Sequence, residues 1–141
     1  MVKKGILLVE DNPDDEALTI RALKKHNLLN DVTVAHDGAE ALEYLLPGDG
    51  AQAKSYGLVL LDLKLPKVDG LEVLRAVRSD ERTRFTPIVV LTSSKEQEDI
   101  VASYTHGANA YVRKPVSFAE FSEAVSSVGL FWMILNQCVP D

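Results

Sequence analysis

Residues 6–15 read ILLVEDNPDD, and the change of character inside this stretch decides the fold. Four apolar residues, Ile6 to Val9, run straight into Glu10 and Asp11. Asn12 and Pro13 follow, then Asp14, Asp15 and Glu16. Asn12 can cap a helix. Pro13 suits the first helical position, where no backbone N–H is needed, and the three acids meet the positive end of the helix dipole. The stretch therefore reads as a short buried strand feeding a helix. The same grammar recurs along the chain, with apolar runs at Val32 to Ala35, Leu58 to Leu61, Ile88 to Leu91 and Ala110 to Val112. Runs without polar alternation predict strands covered on both faces, the mark of a parallel sheet between helices. Asp37 with Glu40, and Ser117 with Glu120, have the spacing of a capping box or a close variant of it. Five alternations of strand and helix predict an open α/β sheet with right-handed crossovers. Pro47 to Tyr56 reads as an exposed loop before the third strand.

The 141 residues have room for a single domain, residues 1–141, and for no separate output domain. Hydrophobic residues at 46% and charged residues at 26% are a globular composition. A formal net charge of −6 argues against nucleic acid as the partner, since a phosphate backbone calls for a basic patch. Cys138 is the only cysteine, which excludes an internal disulfide and fits a reducing, cytoplasmic setting. The run at Ile6 is too short and too quickly acidic for a signal peptide. The longest apolar run, Leu130 to Leu135, is too short to cross a bilayer.

The polar residues of interest each follow an apolar run: Glu10 and Asp11 the first, Asp62 the third, Thr92 the fourth and Lys114 the fifth. Ligands of open α/β sheets bind at that edge. Three carboxylates brought together need a counter-charge to stay ionised. Oxygen-only donors suit magnesium, which typically takes one or two carboxylates together with a phosphate group. Lys114 adds a fixed positive charge and Thr92 a hydroxyl, which together describe a pocket for a phosphoryl group carried on one carboxylate. Each residue also has an ordinary reading: Asp11 and Asp37 as turn or cap residues, Thr92 as a cap, Lys114 as a surface charge, Tyr111 as an amphipathic core residue. Their assembly at corresponding strand ends favours the functional one.

The segments ILLVEDNPDD, LVLLDLKLPKVDG, IVVLTSS and YVRKP resemble response-regulator receiver domains of two-component signalling, over essentially the whole chain. That resemblance implies a flavodoxin-like sheet of strand order 2-1-3-4-5. It implies that Asp62 accepts a phosphoryl group from a histidine kinase, with Thr92 and Lys114 contacting its oxygens. Magnesium would be held by Glu10, Asp11, Asp62 and the backbone carbonyl of Lys64, with Glu10 acting directly or through a water. Thr92 and Tyr111 would form the switch, and Pro115 matches the family's cis-peptide position. The domain would catalyse only its own phosphorylation and dephosphorylation and signal by a change of shape.

Two other readings compete. A magnesium-dependent aspartyl phosphatase would need an Asp two residues beyond its nucleophile, where Lys64 stands. A pseudo-receiver that never takes phosphate would usually lack an acid-pair residue, the acceptor or the lysine, all of which are present. Ser93 stands where many receivers have alanine, and Lys64 can overhang the phosphoryl site. His26, His36 and His106 lack metal-ligand spacing, and Gly70 and Gly107 read as turn or cap glycines. A C-terminal helix is expected at about 117–137. Phe118, Phe121, Val125, Val128, Trp132 and Leu135 form its core-facing stripe. Leu130, Phe131, Met133 and Ile134 fall outside the stripe, which predicts a homodimer through this helix, or a bend at Gly129 that folds them back. The tail, with its Phe131–Trp132 pair, and the segments DNPDD and LDLKLPKVDG resemble small regulators paired with bacterial and cyanobacterial phytochromes.

Overall fold

The computed structural model describes residues 5–25, 31–48, 55–114, 117–135 and 137, with the backbone alone at 134 and 135. Strands and helices alternate as β1 (Gly5–Val9), α1 (Pro13–Lys25), β2 (Val32–Ala35), α2 (Gly38–Leu45), β3 (Tyr56–Leu61), α3 (Gly70–Ser79), β4 (Ile88–Thr92), α4 (Gln97–Thr105), β5 (Ala110–Arg113) and α5 (Phe118–Leu130). Every strand pairing is parallel and the order is β2-β1-β3-β4-β5, the doubly wound arrangement expected.

The period of two along a strand divides the core between the faces of the sheet. Leu7, Val9, Val59, Leu61, Ile88 and Val90 pack with Ala41 and Leu45 of α2 and Val73, Leu74 and Val77 of α3. Ile6, Leu8, Leu58, Leu60, Val89 and Leu91 point the other way, onto Ala22 and Leu23 of α1 and Phe121 and Val125 of α5. The expectation of strands covered on both faces holds for β1, β3 and β4. It fails in part for β2 and β5, whose residues are mostly half-buried. These are the edge strands, and the helices that cover the sheet centre reach them less completely.

The expected caps form. Asn12 Oδ1 accepts the amides of Asp14 and Asp15 at 2.9 and 3.1 Å, Asp37 accepts from Glu40, and Ser117 from Glu120. Glu40 reaches back to the His36 amide, one residue before the cap, so this box is the looser variant. Of the predicted loop from Pro47 to Tyr56, Tyr56 begins β3, and residues 49–54 lie outside the described residues.

The C-terminal helix departs from the uniform winding assumed for it. It runs through the buried Gly129 without a break, then widens into a π-helical turn at Phe131–Leu135. Phe121 and Val125 are buried, and Val128 and Trp132 pack on the same cluster, as the stripe predicts. Met133 joins them, which corrects its assignment to another face. A π turn holds more residues than an α turn, so the residue after Trp132 swings inward as well. Leu130 and Phe131 are left 47% exposed each. The side chains of Ile134 and Leu135 lie outside the described residues.

Candidate functional site

The site residues stand where the sheet's hydrogen-bond ladder makes its last bonds. The Glu10 amide donates to Ala35 O at 2.9 Å, the Asp62 amide to Val9 O at 3.1 Å and the Lys114 amide to Thr92 O at 2.7 Å. Each backbone is therefore fixed by a neighbouring strand while its side chain is free to leave the sheet edge. Glu10 is 1% exposed, Asp62 9%, and the Lys114 side chain 7%. Glu10, Asp11 and Asp62 each offer an oxygen, and these oxygens lie within 4.8 Å of one another. Among the described residues no other His, Cys, Asp or Glu group meets in this way.

Lys114 Nζ donates to Glu10 Oε1 at 2.6 Å, to Asp62 Oδ2 at 2.9 Å and to Asp15 Oδ2 at 2.9 Å. Burial alone would lower the lysine's pKa, but the bonds to Glu10 and Asp15 and the charge of Asp62 outweigh it and raise the pKa, so the ammonium is permanent. Burial pushes the Glu10 carboxyl up to about 7 against the opposing pull of Lys114, with the Asp62 charge adding to the rise. More carboxylates than cations therefore face one another at this edge. The donor set is all oxygen, which fits a hard divalent cation.

The loop after β3 shapes the floor. Lys64 donates its amide to Asp62 Oδ1 at 3.4 Å, and its side chain is exposed. Gly70 closes the loop with its amide on Leu63 O at 2.7 Å. A Cβ there would sit 2.3 Å from Asp62 O and 2.6 Å from Leu63 Cα, so only glycine lets α3 start against the backbone of Asp62. Gly107, with φ of +100°, ends α4 as a left-handed cap glycine. Thr92 is buried at the end of β4, its Oγ1 accepting the Ser94 amide at 3.5 Å. Tyr111 on β5 is half-buried and donates its hydroxyl to Ser94 O at 2.8 Å, and burial raises its pKa. Ser93 is exposed. Pro115 and His26 lie outside the described residues. His36 pairs with Glu16 at 2.8 Å and faces Glu40 at 3.7 Å, and His106 caps α4.

Two contributors escaped the sequence reading. Asp15 is read from sequence only as a helix-dipole acid in the first turn of α1, and its bond to Lys114 joins residues 99 positions apart. Ser94 contributes a backbone carbonyl, for which side-chain identity gives no signal.

Residues 6–126 match the family described as the response regulator receiver domain. The chain belongs to that family. Among curated relatives, the probable methanogenesis regulatory protein FilR2 of Methanothrix harundinacea is 39% identical over 94% of this chain and 85% of its own. Among solved structures, the phosphorylated cyanobacterial phytochrome response regulator RcpA is 36% identical, with a TM-score of 0.91 over 99% of this receiver and all of that chain. The bacteriophytochrome response regulator RtBRR is 50% identical, with a TM-score of 0.75 over 99% of this receiver and 86% of that chain.

Proposed function

We propose that this receiver is the phosphoacceptor of a two-component phosphorelay, working as a single domain in the cytoplasm, and that Asp62 takes the phosphoryl group. The observation that carries the reading is Lys114, whose ammonium bridges Glu10 and Asp62 beside the three-carboxylate cluster. An Asp62 oxygen attacks phosphorus in a histidine kinase's phosphohistidine, the P–N bond breaks, and the imidazole leaves as the P–O bond forms. Lys114 is placed to stabilise charge on the phosphoryl oxygens. Glu10, Asp11, Asp62 and the carbonyl of Lys64 would hold magnesium, which when bound neutralises charge developing on the phosphoryl group. The protein thus catalyses its own phosphorylation and turns over no separate substrate.

Signalling is assigned to Thr92 and Tyr111. Thr92 is buried one strand from Asp62, and the Tyr111 hydroxyl is tied to the intervening Ser94. A change at Thr92 therefore reaches an aromatic on β5. The kinase is of the phytochrome type, a reading supported by the likeness to RcpA and RtBRR. The receiver pairs with a second copy through its C-terminal helix, as the exposed Leu130 and Phe131 support. One self-complementary patch then serves both subunits.

Incubation with acetyl phosphate and magnesium tests the central assignment. The parent should gain one phosphoryl group, and Asp62→Asn should gain none while keeping the parent's circular dichroism. Equal labelling of the two proteins would overturn it.

A further inference from the structure

We infer that Asp15 is a positioning residue that fixes the Lys114 ammonium for phosphoryl transfer, an inference that rests on the phosphoacceptor reading of Asp62. An ammonium has three N–H donors. In Lys114 they go to Glu10, Asp62 and Asp15, all carboxylates, at 2.6, 2.9 and 2.9 Å. Phosphorylation of Asp62 removes that carboxylate's charge and turns one of its oxygens into the bridge to phosphorus. The N–H aimed at Asp62 is then free for a phosphoryl oxygen on the same side chain, while Glu10 and Asp15 retain the other two. Nζ need not travel. Without Asp15, Glu10 alone among the carboxylates would anchor the ammonium once Asp62 is phosphorylated.

Asp15 is built for this. Its amide is held by Asn12 Oδ1 at 3.1 Å, and its carbonyl accepts the hydroxyl of the buried Thr19 at 2.8 Å. The first turn of α1 therefore presents the carboxylate from a fixed backbone. Its neighbour Asp14 is exposed and shares the Asn12 cap. Both acids feel the helix dipole equally, so Asp14→Asn is the control for a merely helical role.

The test uses the full chain labelled with ¹⁵N-lysine. The Lys114 ammonium resonance is assigned by its loss in Lys114→Met, and hydrogen exchange at that resonance is measured in parent, Asp15→Asn and Asp14→Asn. Labelling by acetyl phosphate with saturating magnesium is followed in parallel. Asp15→Asn should speed ammonium exchange and slow labelling, each by at least about threefold, the order expected from one lost charge-assisted bond. Asp14→Asn should change neither. The inference is overturned if Asp15→Asn matches the parent in either measurement, or if Asp14→Asn reproduces the effect. Failure of the phosphoacceptor reading looks different: the parent and Asp62→Asn would label alike, whatever the ammonium does.

Discussion

Glu10 carries the most informative single charge in the receiver. Its carboxyl is raised from 4.5 to about 7 by burial, so in the metal-free protein it is largely neutral at pH 6 and ionised at pH 8. A divalent cation bound through Glu10 must displace that proton. Magnesium affinity should therefore rise with pH, by about tenfold per unit below pH 7, and level off above it. Calorimetric titrations at several pH values check this, and a flat profile would remove Glu10 from the ligands. The same shift has a stability consequence of definite sign. Between pH 4.5 and about 7 the folded metal-free protein binds a proton that the unfolded chain does not, so this contribution to stability falls as pH rises through that window. Gly70 gives a second residue-level prediction. Its missing Cβ is replaced by backbone atoms of Asp62 and Leu63, which cannot step aside as a side chain could. Gly70→Ala should cost about 2–4 kcal/mol in urea unfolding and also slow labelling of Asp62. Unchanged stability would contradict the packing of α3 on the acceptor. Much of this scale was legible in the sequence, because Glu10, Asp11, Asp62, Thr92 and Lys114 each follow an apolar run. Asp15 was not, because its partner Lys114 is 99 positions away and meets it only when β5 closes the sheet edge.

Among the elements, all five strands are legible in the sequence to within two residues, since each is an apolar run that ends against polar or turn-forming residues. The C-terminal helix was read less well. Helical periodicity of 3.6 assigns Met133 to the outside, and the π turn after Leu130 brings it in. A change of winding is invisible to a pattern that assumes one period. On the C-terminal helix the correction narrows the apolar surface available for pairing to Leu130 and Phe131 among the described side chains, with Phe131 standing edge-on to Trp132 at 5.1 Å. Burying a large apolar side chain contributes roughly 1.5–3 kcal/mol. Leu130→Glu, Phe131→Glu should therefore turn a sedimenting dimer into a monomer that stays folded by circular dichroism, with only a small drop in melting temperature from the lost Phe131–Trp132 contact. Trp132→Ala, by contrast, opens the cluster shared with α1 and should destabilise by about 2–4 kcal/mol. A parent that stays monomeric at high micromolar concentration, with and without phosphoryl on Asp62, would refute the pairing.

At the scale of the whole molecule, the parallel sheet collects at one edge what the sequence spreads between Glu10 and Lys114, and it leaves the opposite edge to structural work. There Arg78 binds the carbonyls of Thr83, Arg84, Thr86 and Gly107 together with Asn109 Oδ1. Strand order was legible only through resemblance, because alternation of strand and helix fixes the class of fold and leaves the order open. The central claim is that this edge delivers one phosphoryl group to one carboxylate. An acyl phosphate is reduced by borohydride, which converts its aspartate to homoserine. The decisive measurement is mass-spectrometric peptide mapping of the chain after acetyl phosphate treatment and borohydride reduction, with magnesium and with chelator. The account predicts homoserine at position 62 alone, and only with magnesium. Homoserine at another aspartate position, at position 62 in chelator, or at none, would contradict it.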